Sequence, residues 1–144
     1  MKVFFDTSVL VAAIVESHPM HPRAFVWLKR AKSSEIQFVT AGHVVAELYA
    51  VLTSLPVKPR ISPGTAWRLT HENVATVADI ITLGVADYRA TIKRLSERGV
   101  TGGAVYDGLI AAAAAKAGAE RLLTLNARDF ARVWPEASEI IAVP

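Results

Sequence analysis

Four acidic residues stand where solubility alone does not explain a carboxylate. Asp6 directly follows the apolar run 2–5. Glu47 sits inside a helical apolar pattern, and Asp107 lies in the first turn of an Ala-rich stretch. Asp129 closes Thr124-Leu-Asn-Ala-Arg-Asp-Phe130 after a second β-like run. Glu47 lies three residues after Val44 and four before Val51, which puts it on the stripe a helix would bury. A carboxylate there takes up a proton, meets a cation, or reaches water or an arginine at the stripe's edge. Each acid also has an ordinary reading: Asp6 and Asp129 as helix caps, Asp107 as a partner of the helix dipole. Four carboxylates from four elements converging on one strand edge would repel one another, and a hard divalent cation removes that conflict. Oxygen ligands with few or no histidines suit Mg²⁺ or Mn²⁺. Such an ion beside an anionic phosphate predicts metal-assisted phosphodiester hydrolysis.

The elements needed to bring these acids together follow from apolar periodicity and punctuation. Strands are predicted over 2–5, 36–39, 77–81, 121–125 and 139–143. Helices are predicted over 9–15, 22–31, 41–55, 64–73, 85–98 and 105–117. Ser8 is the expected cap of the first helix, Pro22 and Ser62-Pro63 start the second and fourth, and Gly118 ends the last. The helix over 105–117 is apolar nearly all round, so it is expected to be buried. Strands alternating with helices predict an α/β fold with a parallel sheet covered on both faces. In such sheets ligands bind beyond the carboxyl ends of the strands, where Asp6, Asn126 and Asp129 fall.

Size and composition remove several classes. The 144 residues, 52% apolar and 20% charged, fit one folded domain spanning 1–144 and exclude a disordered chain. No cysteine is present, so disulfides, thiolate zinc sites and cysteine nucleophiles are out. Mean hydropathy is +0.33, yet no apolar run is long enough for a membrane helix. The start does not read as a signal peptide either, because Asp6 interrupts its apolar stretch. A net charge of +3 and a pI near 9.4 are compatible with a polyanionic partner. A phosphate-binding loop, a dinucleotide fingerprint and a G-x-S-x-G elbow are all missing. His18, His21, His43 and His71 make no metal-ligand spacing. His18 and His21, flanking prolines in a loop, are expected at the surface. Without a histidine pair, attack by a ribose 2′-hydroxyl is disfavoured.

Asp6-Thr-Ser8 after the first strand, Glu47 in a helix, Tyr106-Asp107 opening an Ala-rich helix, and Leu123-Thr-Leu-Asn-Ala-Arg-Asp-Phe130 occur in an order that resembles the PIN-domain ribonucleases. More narrowly, the order resembles the VapC toxins of bacterial and archaeal toxin–antitoxin pairs. The resemblance runs from residue 2 to about 143. It implies a three-layer α/β/α sandwich with a parallel sheet of strand order 3-2-1-4-5. It also implies Mg²⁺- or Mn²⁺-dependent endoribonuclease activity on transfer or ribosomal RNA, which arrests translation. In-line attack by a metal-activated hydroxide, the expectation from the four acids, leaves 5′-phosphate and 3′-hydroxyl ends. The implied state is a cytoplasmic homodimer silenced by a VapB-type antitoxin.

Matched residue by residue, the resemblance makes Asp6 and Asp107 the core metal ligands and Glu47 the third acid. Asp129 fits the last acidic position, although the family often carries an acid at the position of Asn126 instead. Ser8 and Thr124 match small polar positions that orient the acids or a water. Arg94, Arg98 and Arg128 lie near the expected rim as candidates for RNA phosphate contacts, although the plainer reading of each is a surface charge. Two other readings remain open. One is a PIN-like module that binds RNA or a partner without catalysis, and the other is a metal-dependent nuclease acting on DNA.

Overall fold

In a computed structural model describing residues 1–144, five parallel strands form one sheet of order β3-β2-β1-β4-β5. They are β1 (Lys2–Phe5), β2 (Gln37–Ala41), β3 (Asp79–Ile81), β4 (Arg121–Leu123) and β5 (Ile141–Ala142). Around them run α1 (Thr7–Ile14), α2 (His21–Lys32), α3 (Gly42–Ser54), α4 (Pro63–Thr70), α5 (Val85–Glu97), α6 (Ala104–Ala117) and α7 (Ala127–Val133). The first four helices pack on one another in one layer, and α5, α6 and α7 pack on one another in a second. The expected sandwich and strand order are therefore the ones observed.

Central β1 is apolar because it is covered on both faces. Val3, Phe4 and Phe5 are fully buried, and their register runs to Phe38 and Val39 on β2 and to Leu122 and Leu123 on β4. Because all five strands run parallel, their carboxyl ends share one edge of the sheet. Thus Asp6 leaves β1, Gly42 leaves β2 and Thr124 leaves β4 on the same side.

Several predicted boundaries move. The first helix starts at Thr7, not Val9, and Ser8 does not cap it. Its hydroxyl instead donates to Asp6 Oδ2 at 2.8 Å and accepts the Leu125 N–H at 2.9 Å. The strand predicted over 121–125 stops at Leu123, since Thr124 already turns its hydroxyl to the Asn126 N–H. The fourth helix gives way at Thr70 to a π turn over His71–Ala75. Two elements lie outside the predicted set: α7 and a 3-10 segment over Pro135–Ile140. The helix predicted over 105–117 is indeed largely buried, and it ends where Gly118 takes a left-handed φ of 65°.

Candidate active site

The site begins at Asp6, which is only 3% exposed. The Ser8 and Thr124 hydroxyls both donate to its Oδ2, at 2.8 and 2.9 Å. Those hydroxyls in turn accept the backbone N–H groups of Leu125 and Asn126, at 2.9 Å each. A short chain of hydrogen bonds therefore ties the β4 turn to the end of β1. It occupies Oδ2, and the backbone N–H groups of Thr7 and Ser8 further favour the charged carboxylate. Burial raises the Asp6 pKa above its ordinary value, against the lowering effect of the Ser8 and Thr124 hydroxyls.

Glu47, on the second turn of α3, faces the same place. Its side chain is 40% exposed, so it sits at the edge of the buried stripe and not at its centre. Desolvation raises its pKa first, and the negative charge of Asp6 adds to that. His43, one turn earlier, places Nε2 3.2 Å from Glu47 Oε2. The His43 ring in turn stacks on Tyr106, with centroids 5.3 Å apart and planes 3° from parallel. Asp107, the next residue of α6, is pushed up to about 6, first by desolvation and then by the charges of Asp6, Asp129 and Glu47. Arg132 works in the opposite direction.

Asp6, Glu47 and Asp107 line one open cavity of about 350 Å³, together with Thr7, Ser8, His18 and Asn126. No lysine or arginine lines it. Asp129 is exposed and stands outside the lining, felt by Asp107 through its charge. The side chains do not close on a single point as a preformed coordination shell. Their donor chemistry nevertheless fits a hard divalent cation. The atoms on offer are carboxylate oxygens, and each carboxylate has a raised proton affinity that a cation would offset. The Thr7 hydroxyl adds a further buried oxygen beside Glu47, whose proton affinity it lowers as a hydrogen-bond donor.

The arginines singled out at the rim are less alike than expected. Arg94 and Arg98 are both paired with Glu136 on the 3-10 segment, whereas Arg128 is exposed with no carboxylate partner. Four contributors were not read from the sequence as parts of the site: Thr7, His18, His43 and Arg132. His43 had a signal, its i,i+4 spacing to Glu47. His18 was placed at the surface and instead lines the cavity.

Comparison with known proteins gives the same picture from outside. A family profile described as the PIN domain matches residues 3–134. Ribonuclease VapC27 of Mycobacterium tuberculosis is 36% identical over 123 residues, covering 85% of this chain and 83% of that protein. Among solved structures, VapBC2 of Rickettsia felis bound to a promoter DNA fragment superposes with a TM-score of 0.66 at 20% identity, over 100% of this chain and 99% of that one. VapC20 of Mycobacterium tuberculosis, described as a sarcin-ricin loop cleaving toxin, superposes with a TM-score of 0.63 at 19% identity, over 83% and 86%. At such identities the two structures establish the fold.

Proposed function

This chain belongs to the PIN-domain family, on its VapC branch, and from that premise we propose that it is the ribonuclease toxin of a toxin–antitoxin pair. It hydrolyses RNA phosphodiester bonds with the help of a divalent cation, Mg²⁺ or Mn²⁺. One observation carries the reading: Asp6, Glu47 and Asp107 come from three separate elements and line one cavity with no basic side chain among them. A cavity of that charge repels RNA unless a cation is part of the working site.

Asp6, Glu47 and Asp107 would hold the ion, with Asp129 adding negative charge from outside the lining. When bound, the cation supplies positive charge that neutralises the phosphate and lowers the proton affinity of the attacking water. Ser8 and Thr124 keep Asp6 from turning away, since both of their protons are committed to its Oδ2. His43 holds Glu47 by one oxygen, its Nε2 lying 3.2 Å from Oε2. Burial and the neighbouring carboxylates push Asp107 up to about 6, which lets it exchange a proton near neutral pH.

A protein partner is part of the same reading. Val85, Tyr88 and Ile92 form one face of α5 and are 68%, 44% and 51% exposed, an apolar patch suited to an antitoxin or to a second copy of this chain. No helix is long and apolar enough to cross a membrane. A translation-linked RNA substrate places the work in the cytoplasm, and the chain acts as one domain over 1–144.

The test is cleavage of total RNA and of matched DNA by the purified chain, with Mn²⁺ and with chelator. The expected result is RNA cut only with Mn²⁺, leaving 5′-phosphate ends, and no cutting by Asp6→Asn. Metal-independent cleavage, full activity of Asp6→Asn, or equal cutting of DNA would contradict the proposal. Metal binding without any cleavage would favour the non-catalytic module.

A further inference from the structure

The loop Ser17-His-Pro-Met-His-Pro22 joins α1 to α2, and its two histidines are used differently. His21 Nδ1 lies 2.9 Å from the Ala12 carbonyl and ties the loop to α1. His18 is fixed at three points. Its N–H donates to the Val15 carbonyl at 3.0 Å, and its carbonyl accepts the His21 N–H at 2.9 Å. Its Nδ1 accepts the Met20 N–H at 3.0 Å. The last bond determines the tautomer. A ring nitrogen that accepts an N–H has its lone pair engaged, so the proton of the neutral ring sits on Nε2. His18 lines the acidic cavity, and Nε2–H is the polar group it has left to offer there.

The cavity is short of such donors. RNA brings a phosphate whose non-bridging oxygens need hydrogen-bond donors as well as positive charge. The Ser8 and Thr124 hydroxyls have spent their protons on Asp6. The Thr7 hydroxyl is buried and serves Glu47 as a hydrogen-bond donor, and no ammonium or guanidinium lines the cavity. His18 and the Asn126 amide are what remains. Of the two, His18 is the rigidly held one, because no hydrogen bond fixes the Asn126 side chain.

We propose that His18 Nε2–H donates a hydrogen bond to a non-bridging oxygen of the bound RNA phosphate, making His18 a substrate-contacting residue of the site. The inference rests on the ribonuclease reading above. It also accounts for the loop: His21 anchors it, and the Met20 N–H sets which nitrogen of His18 carries the proton.

Three substitutions separate this role from a structural one. An asparagine amide reaches the place of Nδ1, so His18→Asn can keep the Met20 bond but presents no donor to the cavity. A glutamine amide reaches the place of Nε2, so His18→Gln supplies the donor and gives up the Met20 bond. His18→Ala removes both. The substrate is a synthetic oligoribonucleotide spanning a cleavage site mapped with the wild-type protein and Mn²⁺. Failure of the wild type to cut any RNA overturns the ribonuclease reading itself. With an active wild type, the expected result is a fall of about 10- to 100-fold in kcat/KM for His18→Ala and His18→Asn, with His18→Gln within about threefold of wild type. Mn²⁺ affinity, measured by titration without RNA, stays unchanged in all three. The inference is overturned if His18→Ala cleaves like wild type, or if Asn preserves activity while Gln loses it. Loss of Mn²⁺ affinity also overturns it, since His18 would then be a metal ligand.

Discussion

Asp6, Glu47 and Asp107 each hold a proton more tightly than a free carboxyl does, and burial is the first cause for all three. Asp107, raised from 3.8 to about 6, gives the sign of the pH effect. Between those values the folded chain binds more protons than the unfolded chain, so stability falls as pH rises. The contribution is full below the lower value and is lost as pH passes the higher one. Without metal, the Tm of the wild type relative to Asp107→Asn should therefore decline from about pH 4 to about pH 7 and then level off. Thermal melts of both proteins across that range check it. Thr124→Val removes a proton donor from Asp6 and an acceptor from the Asn126 N–H, both largely out of water. It should destabilise by about 1 to 3 kcal/mol in denaturant titration. The acids were legible in the sequence because a charge inside an apolar pattern is conspicuous, and Glu47 at i+3 from Val44 is the clearest case. His18 was not, since its role depends on a turn that delivers the Met20 N–H to Nδ1, and no periodicity encodes that.

At the next scale up, α6 places Asp107 and has to lie close to α5 to do so. Gly108 makes the approach possible: a Cβ there would stand 2.6 Å from Leu95 Cδ1 and 3.2 Å from Cδ2. Leu95 is buried, and its side chain must shift to admit that Cβ. Gly108→Ala should cost about 1 to 2 kcal/mol, the overpacking outweighing the better helix propensity of alanine. Combining it with Leu95→Val should recover part of that loss, and chemical denaturation of the single and double variants measures both. The strands of the sheet were readable because covered parallel strands are continuous short apolar runs, such as Val-Phe-Phe in β1. The boundaries were less so. Ser8 had the residue type of a cap, but its hydroxyl found Asp6, a partner two positions back. The helix Ala127–Val133 is only seven residues long and carries just Phe130 and Val133 as buried residues, too few for a periodic signal.

Over the whole molecule, a chain of net charge +3 carries an acidic cavity, so its basic residues lie elsewhere on the surface. Glu136 engages both Arg94 and Arg98, while Arg128 has no such partner. Arg128→Ala should therefore weaken RNA binding and reduce the salt slope of log K by about one unit, with Arg94→Ala doing less. Glu136→Gln should steepen that slope, as two guanidinium groups lose their internal partner. Binding of a labelled oligoribonucleotide across a salt series reads both effects. The scattered arginines could not be ranked beforehand, because which of them is neutralised depends on Glu136, some forty positions away in the chain. The most direct test of a shared cation is titration of Mn²⁺ into the RNA-free protein at neutral pH. The account predicts saturable binding to the wild type that is lost in Asp6→Asn and in Asp107→Asn, with Tm rising only where Mn²⁺ binds. Undiminished Mn²⁺ binding by either variant, or none by the wild type, would contradict it.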